Sequence, residues 1–309
     1  MNGLALKYFL EVCNTGSLSA ASASAHVAIS AISRQISHLE EQVGAALFQR
    51  TARGMQPTAA GRLLLAHARR TVLETESTLA AIASLRGMQD HEIRVSSSQG
   101  PANDLVPTAM AQFRREHPET RFALHVGPAI EATQRVADGD SDIAVTFSVT
   151  PHPGIEVQHA RRARVLAIMA AAHPLAAADS VSLDDLRAYP LALTNKGTST
   201  RTLFDMSCGM ANVVIEPVLS SNYAGCLHAF VRESDAILLA GYVSIAERLS
   251  RHGLIARPIR DAEMQSRSLQ IQTMKDRQLS DNVQAFIAHL TDMIDRLGDG
   301  DAGVGDAGV

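Results

Sequence analysis

A helical segment near the N-terminus carries residues that could contact DNA. Residues 17–35 read SLSAASASAHVAISAISRQ, which predicts a short helix, a tight turn at about residues 26–29 and a second helix. One face of the second helix carries four polar residues, Ser30, Arg34, Ser37 and Glu41. Small hydroxyls beside an arginine suit the major groove, because the backbone can approach closely while the guanidinium reaches a guanine edge or a phosphate. A solvated polar face on an ordinary amphipathic helix is the alternative.

The opposite face of the second helix is apolar. Its residues Ile32, Ile36, Leu39 and Val43 recur at i, i+4, i+7 and i+11, so we expect them to point into a core. Residues 1–89 hold 8 Lys and Arg against 5 Asp and Glu, whereas the remainder holds 20 against 27. A basic N-terminal segment on an acidic body is consistent with a polyanionic partner bound at one end of the chain.

Two segments in the second half of the chain could bind a small anion. Ser97, Ser98, Gln99 and Gly100 follow a predicted strand and precede a helix. Thr198, Ser199 and Thr200, with Arg201 next to them, follow another strand and open another helix. Hydroxyls, free N–H groups at helix starts and one guanidinium favour a carboxylate ligand. Each segment could instead be a plain helix cap.

Nothing in the sequence indicates enzyme chemistry. The chain has no GxSxG, P-loop or HExxH motif, GxGxxG spacing occurs only within the terminal Gly-rich repeat and not between a predicted strand and helix, and its 12 histidines lack metal-ligand spacing. We therefore predict no catalytic residue, no metal and no cofactor. Its three cysteines, Cys13, Cys208 and Cys226, form no CxxC pair, so reduced, inert thiols are expected. A redox-sensing role for Cys208 and Cys226 is the alternative.

Length and composition predict a globular protein of about two domains. The chain has 309 residues, of which 46% are hydrophobic and 19% charged. The longest apolar run, residues 165–172, is too short for a membrane helix, and the N-terminus lacks a signal pattern, so we expect a soluble cytoplasmic protein. The final GDGDAGVGDAGV repeat, residues 298–309, is expected to be disordered.

A long helix is predicted between the two halves of the chain. Residues 58–86 contain no proline, and a continuous helix of that length would span roughly 43 Å. An almost entirely apolar seam recurs along it at spacings of three and four: Leu65, Ala68, Val72, Thr75, Leu79 and Ile82. The seam predicts a partner helix, and packing within the same chain is the alternative.

From residue 93 onward, short apolar strands alternate with amphipathic helices. Strands are predicted at 93–97, 121–126, 143–147, 165–170, 191–194, 213–218 and 236–240. Helices are predicted at 104–116, 129–137 and 280–297. This rhythm is typical of parallel α/β architecture, and its repetition predicts two lobes with a cleft between them.

The residues also resemble a known family, the LysR-type transcriptional regulators. In the N-terminal part the resemblance rests on Leu6, Phe9, Gly16-Ser17, Ala21, AISRQI, LEEQVG, LFQR, Thr58 and Gly61. In the remainder it rests on residues 93–107, Phe113, Pro118, Gly139, Asp142-Ile143-Ala144, His173-Pro174-Leu175, residues 182–186 and residues 279–290. The resemblance covers about residues 4–297, with many motifs in the same order.

The resemblance implies an α/β protein with a winged helix–turn–helix, a linker helix and a two-lobed effector-binding domain of the periplasmic-binding-protein type. The expected boundaries are 1–58, 59–88 and 92–297. Lobe I would comprise about 92–161 and 266–297, and lobe II about 162–265.

The resemblance also implies roles for particular residues. Residues 17–25 would form the supporting helix, 30–43 the recognition helix and 47–58 the wing. The DNA-contacting set would be Ser30, Ser33, Arg34, Gln35, Ser37, Arg50 and Arg53, with solvated surface arginine as the alternative for the last two. The effector-contacting set would be Ser97, Ser98, Gln99, Gly100, Gly127, Pro128, Thr198, Ser199, Thr200 and Arg201.

Some positions depart from the family pattern. Ala28 stands where the family commonly has a capping serine, so Ser30 could cap the recognition helix instead and start it later. Ala25 replaces a leucine, which makes the helix–turn–helix core smaller. Pro57 stands where the wing has an apolar strand residue, and a proline removes a backbone donor.

The sequence thus predicts a DNA-binding regulator that senses a small, anionic metabolite. Expected partners are double-stranded DNA with an imperfect palindromic operator, a carboxylate or other anion, and a second copy bound through the linker helix. The resemblance favours a homotetramer, and RNA polymerase is a further candidate partner. A solute-binding or ligand-scavenging oligomer that does not bind DNA is the alternative function.

Overall fold

The computed structural model describes residues 3–51, 54–85, 91–244 and 253–296. The chain divides into two compact units, Met1–Arg86 and Gly87–Val309. The predicted tail and the predicted helix end at Arg86 and Gly87 lie outside the described residues. Within the described ranges, no helix is both long and apolar enough to cross a membrane.

The first unit contains four helices and a two-stranded ribbon among its described residues. These are α1 (Gly3–Thr15), α2 (Leu18–Ala25), α3 (Ile29–Val43), β1 (Phe48–Thr51), β2 (Gly54–Pro57) and α4 (Ala59–Leu85). Ser17 caps α2, because its hydroxyl accepts from the N–H of Ala20, and His26 ends that helix in the left-handed conformation. The predicted helix–turn–helix and wing are therefore present.

Helix α3 begins one residue before its predicted start. Ala28 is its N-cap residue and makes no side-chain cap bond, so the expectation that Ser30 caps the helix is wrong. Ser30 lies in the first turn and is exposed. Val43 is 41% exposed, because Gly44 ends the helix there, and so Val43 does not belong to the core as predicted.

The core of the first unit joins the first and third helices to the ribbon. Phe9 of α1 packs against Phe48 of β1 with the ring centroids 5.1 Å apart, and Ile32 and Leu39 of α3 are fully buried beside them. Pro57 is tolerated because it ends β2, where it pairs opposite Phe48. Thr58 precedes α4, and its hydroxyl accepts from the N–H of Gly61.

The two halves of helix α4 differ in how their apolar residues are buried. Leu65 and Ala68 pack into the core of the first unit. Further along, three members of the predicted seam are exposed: Val72 at 37%, Leu79 at 61% and Ile82 at 44%. The second half of α4 therefore carries an apolar stripe that its own unit does not cover.

The second unit contains two five-stranded sheets. The first has the order β4 (Thr120–Val126), β3 (His91–Ser97), β5 (Ile143–Ser148), β12 (Ser268–Met274) and β6 (Ile155–Arg162). The second has the order β11 (Leu254–Pro258), β7 (Val165–Ala170), β10 (Ile237–Gly241), β8 (Leu191–Thr194) and β9 (Leu219–Ser221). Lobe I denotes the part of the unit built on the first sheet, and lobe II the part built on the second.

Helices cover both sheets. Those longer than one turn are α6 (Leu105–Glu116), α7 (Ala129–Asp138), α9 (Ser199–Met210), α10 (Ala224–Arg232) and α11 (Asp281–Arg296). Two four-residue α-helices, α5 (Gln99–Ala102) and α8 (Leu183–Leu186), and three short 3-10 helices, Pro174–Ala177, Tyr242–Ser244 and Ala262–Gln265, are also present. Phe113 of α6 and Phe286 of α11 pack edge to face at 5.2 Å over β3 and β5.

The α/β fold class is confirmed, but the sheets are mixed rather than purely parallel. Strands β12, β6, β7 and β11 pair antiparallel with their neighbours. The strand predicted at 213–218 is wrong: residues 213–217 are irregular, Val214 is 88% exposed, and β9 begins at Leu219. Pro217 explains part of this error, because a proline removes a ladder donor.

A buried carboxylate holds the amino end of the lobe I sheet. Asp142 accepts hydrogen bonds from the side chain of Arg94 at 3.0 Å and from Arg277 at 2.7 Å. Burial alone would raise the pKa of Asp142, but the hydrogen bonds and charges of these arginines outweigh it and lower that pKa. The carboxylate thus ties β3 and β5 to the segment that leads into α11.

A close backbone approach makes Gly61 of α4 sensitive to substitution. A Cβ there would overlap the carbonyl oxygen of Leu47, whereas a Cβ at Gly209, near the end of α9, would meet nothing within 4 Å. We predict that Gly61→Ala destabilises the first unit by about 1–3 kcal/mol, because the ribbon must shift. Gly209→Ala should be neutral or stabilising by up to ~1 kcal/mol. Thermal unfolding of both variants checks this, and equal midpoints would contradict it.

Candidate DNA interface and effector site

The apolar face of α3 is buried and its polar face is open. Ile32, Ile36 and Leu39 are at most 5% exposed. On the other side Ser30, Arg34 and Ser37 are exposed, and Ser33 and Gln35 at its margins are half-buried. The guanidinium of Arg34 makes no ion pair with any described residue. The polar face can therefore donate hydrogen bonds to another molecule while the core stays intact.

The wing adds one described cation to the first unit. Arg50 is exposed on β1, opposite Met55 of β2. Arg53, the other arginine predicted in the wing, lies outside the described residues. The second strand of the ribbon is tied to the segment before α2, because the N–H of Met55 donates to the carbonyl of Gly16 at 2.8 Å.

The lobe I segment of the predicted effector site contains one hydroxyl in use and one without a partner. Ser97 donates to the carbonyl of Val145 at 2.9 Å, so its hydroxyl serves the sheet. Ser98 is 8% exposed, and its buried hydroxyl has no hydrogen-bond partner. Gln99 donates its side-chain amide to the carbonyl of Asn222 in lobe II. Gly100 follows within α5.

The lobe II segment is the start of α9. Thr198 is its N-cap, and its hydroxyl bonds Thr194 at 2.6 Å and accepts from the N–H of Arg201. Arg201 is paired with Asp205 at 2.7 Å, so its charge is already neutralised. The N–H groups of Ser199 and Thr200 have no intrahelical acceptor, because they lie in the first turn of the helix. These two residues are therefore better donors to a ligand than Thr198 and Arg201.

Gly127 and Pro128 lie where β4 leads into α7. The N–H of Gly127 donates to the carbonyl of Ser97 at 3.0 Å, which joins this segment to the Ser97–Ser98 segment. The carboxylate of Glu131 lies over Gly127 and pairs with His125 at 2.7 Å. A negative charge thus already occupies the start of α7, which makes this the least suitable of the three segments for an anion.

One buried cation that the sequence did not predict lies between these segments. Arg267 is 2% exposed and comes just before β12, where the chain returns from lobe II to lobe I. It donates to Thr200 at 2.8 Å, to Ser199 at 3.3 Å and to the carbonyl of Ala163 at 2.8 Å. Its guanidinium also lies 4.2 Å above the ring of Phe147. Both lobes therefore contact this one side chain.

The charge of Arg267 has no carboxylate partner among the residues described, and its NH2 nitrogen has no acceptor. Burial lowers the pKa of Arg267 to about 9, so the group stays protonated at neutral pH. The sequence did contain one signal for this residue. Arg267 lies where the chain returns from lobe II to lobe I, and an arginine at that place borders any cleft between the lobes. Its burial, however, follows only from the contacts made by both lobes.

Two of the three cysteines, Cys13 and Cys208, lack the features of reactive thiols. Burial raises the pKa of Cys13 to about 12 and also raises the pKa of Cys208. A raised pKa disfavours the thiolate that redox sensing needs. All three cysteines are free, and no group of His, Cys, Asp or Glu within the described ranges could hold a metal ion.

Comparison with known proteins agrees with this geometry. Residues 4–62 match the family model described as bacterial regulatory helix-turn-helix protein, lysR family. Residues 86–295 match the LysR substrate binding domain. The chain belongs to the LysR family of transcriptional regulators, in which a helix–turn–helix is joined to an effector-binding domain.

Curated relatives carry the resemblance along most of the chain. It is 25% identical over 296 residues to a "Probable RuBisCO transcriptional regulator" of Synechocystis sp., covering 91% of this chain and 83% of that one. It is 28% identical over 249 residues to the "SDS degradation transcriptional activation protein" of a Pseudomonas species, covering 79% and 80%.

Solved structures share the fold at low identity. A full-length OxyR variant from Pseudomonas aeruginosa has a TM-score of 0.65 at 16% identity, covering 95% of this chain and 94% of that one. Full-length CbnR in complex with its target DNA has a TM-score of 0.55 at 22% identity, covering 95% and 100%. At these identities the likeness concerns the fold.

The two predicted effector hydroxyls should differ in stability effects. Thr198→Ala removes a helix cap and should cost about 0.5–2 kcal/mol. Ser98→Ala removes a buried hydroxyl without a partner, so we expect no loss of stability. Urea unfolding of both variants tests this contrast. A loss for Ser98→Ala as large as that for Thr198→Ala would assign Ser98 a structural role.

Proposed function

We propose that this regulator reads DNA with the polar face of α3 and a small anion with the cleft between its lobes. The observation that carries the DNA part is the orientation of α3. Its apolar side is sealed in the core, while Ser30, Arg34 and Ser37 are exposed along the other side. Arg34 would contact a guanine edge or a phosphate, with Ser33 and Gln35 beside it. Arg50 and Arg53 would follow the phosphate backbone.

The assembly we propose is a homodimer formed through α4. The exposed stripe of Val72, Leu79 and Ile82 supports it, because an apolar stripe at helical spacing is stabilised by a second helix. Two heads related by a twofold axis predict an imperfect palindromic operator. Two such dimers would make the tetramer that the family resemblance favours.

The second unit would bind the ligand, and this binding would change how the protein acts on DNA. Ser98, Gln99 and Gly100 from lobe I and Ser199 and Thr200 from lobe II would contact the anion, with Gly127, Pro128, Thr198 and Arg201 shaping the site. The buried hydroxyl of Ser98 without a partner supports this assignment. Ligand binding changes transcription only if the ligand binds two lobe arrangements unequally.

The remaining parts of the proposal follow from the role on DNA. The protein would act in the cytoplasm, would contact RNA polymerase at its promoters and would catalyse no reaction. A separate scavenging function without DNA binding would leave the exposed face of α3 unused.

Arg34→Ala tests the DNA part of the proposal. A direct base contact should cost about 1–3 kcal/mol, or roughly 5- to 150-fold in affinity. The measurement is fluorescence anisotropy at fixed salt with the intergenic DNA beside the gene. Arg187→Ala is the matched control, because Arg187 is an exposed arginine of lobe II that pairs with Asp184. Unchanged affinity for Arg34→Ala would favour the scavenging alternative.

A further inference from the structure

The guanidinium of Arg267 is held by contacts that leave one of its donors unused. Nε donates to Ala163, and NH1 donates to Thr200 and Ser199. The NH2 group is enclosed and has no acceptor. A buried donor on a charged group without an acceptor costs free energy, and so does a buried charge without a counter-charge. Among the described residues, Arg267 therefore lacks one acceptor and one counter-charge.

The surroundings of NH2 come from both lobes. Phe147 of lobe I lies flat against the guanidinium. Gly241, the last residue of β10 in lobe II, lies so close to NH2 that a Cβ there would overlap it. The turn after Gly241, residues 242–244, packs against α5, which follows Ser98. Arg267 NH2 therefore adjoins the start of this turn, and the helix that follows Ser98, whose buried hydroxyl also has no partner, packs against the turn.

We propose that Arg267 is the anion anchor of the effector site and that its ligand is a small monocarboxylate. The inference rests on the proposed function of the cleft and names the residue and the charge that the site recognises. One buried cation without a counter-charge is neutralised by one negative charge, whereas a dianion would leave a buried charge of its own. One carboxylate oxygen accepts from Arg267 NH2, and Ser98 or the start of α9 donates to the other.

The enclosure of NH2 also explains how such a ligand would act on the fold. A carboxylate oxygen needs about 2.8 Å from a guanidinium nitrogen, so the ligand must displace one wall of the enclosure. Phe147 belongs to lobe I, and Gly241 and Thr200 belong to lobe II, so displacing a wall changes the packing between lobes. Binding at Arg267 therefore favours one lobe arrangement over another, as a regulatory ligand requires.

The test compares carboxylates with a dianion on the full-length protein. Acetate, hexanoate and sulfate each replace sodium fluoride at constant ionic strength, and the unfolding midpoint is followed against concentration. The wild type should show a saturable increase with a carboxylate that exceeds the increase with sulfate. Arg267→Met should weaken carboxylate binding by roughly 10- to 100-fold. Arg267→Lys, which keeps the charge but not the planar donor set, should fall between them.

Arg257→Met is the matched control. It removes the same charge from β11 of lobe II, where the side chain donates to the carbonyl of Ala176, and it should keep the wild-type response. An equal response in Arg267→Met and the wild type, no saturable response to any carboxylate, or a stronger response to sulfate would overturn the inference.

A second measurement covers the case in which Arg267→Met does not fold. A crystal structure of the wild type with hexanoate should place the carboxylate within hydrogen-bond distance of Arg267, and binding only at surface arginines would overturn the inference.

The anisotropy assay separates this inference from the DNA proposal. A regulator that binds DNA but responds to carboxylates independently of Arg267 refutes the anchor alone, whereas an Arg267-dependent response without DNA binding refutes the DNA proposal alone.

Discussion

The burial of one side of α3 determines what the N-terminal unit can do. Ile32, Ile36 and Leu39 lie in the core with Phe9 and Phe48. At about 25 cal/mol per Å² of apolar surface, burying each of these side chains contributes roughly 1.5–3 kcal/mol, so α3 cannot rotate without losing most of the core. Its polar side is therefore held outward. The helix presents a fixed set of donors rather than an adaptable one.

The second unit depends on a different kind of interaction. Its lobes are joined by two chain crossings, and Arg267, beside the second crossing, donates to Ala163 in the first. A buried guanidinium between two lobes is a weak source of stability, because its desolvation offsets the hydrogen bonds it makes. Its value is specificity, because only an anion can both accept from the remaining donor and neutralise the buried charge. The same residue thus contacts both lobes and keeps one donor available for a ligand.

Sequence patterns predicted the elements whose burial is local. The i, i+4, i+7 repeat is sufficient to predict α3, and an apolar run is sufficient to predict each of β5, β7 and β8. All four elements are present. Strands β6 and β12 were not predicted, because IEVQHARR and SLQIQTM are largely polar and become strands by pairing with each other across more than 100 residues. The family resemblance supplied the domain order that periodicity alone could not.

The site was less predictable than the fold for a related reason. The hydroxyl segments were visible because each follows a strand and opens a helix. Which hydroxyls are free was not visible: Ser97 and Thr198 are engaged, Ser98 is not, and Arg201 is neutralised by Asp205 four residues along its own helix. The charge of Arg267 stands alone because both lobes exclude water and no described carboxylate approaches it. Such a balance of charges depends on the tertiary structure.

Hydrogen exchange of the full-length protein, with and without the intergenic DNA beside its gene, would locate the surface that binds DNA. The account predicts that DNA slows exchange in residues 29–43 and in the ribbon at 48–57, and that added salt abolishes this protection. Protection confined to residues 91–296, or no salt-sensitive protection of residues 29–43, would contradict it.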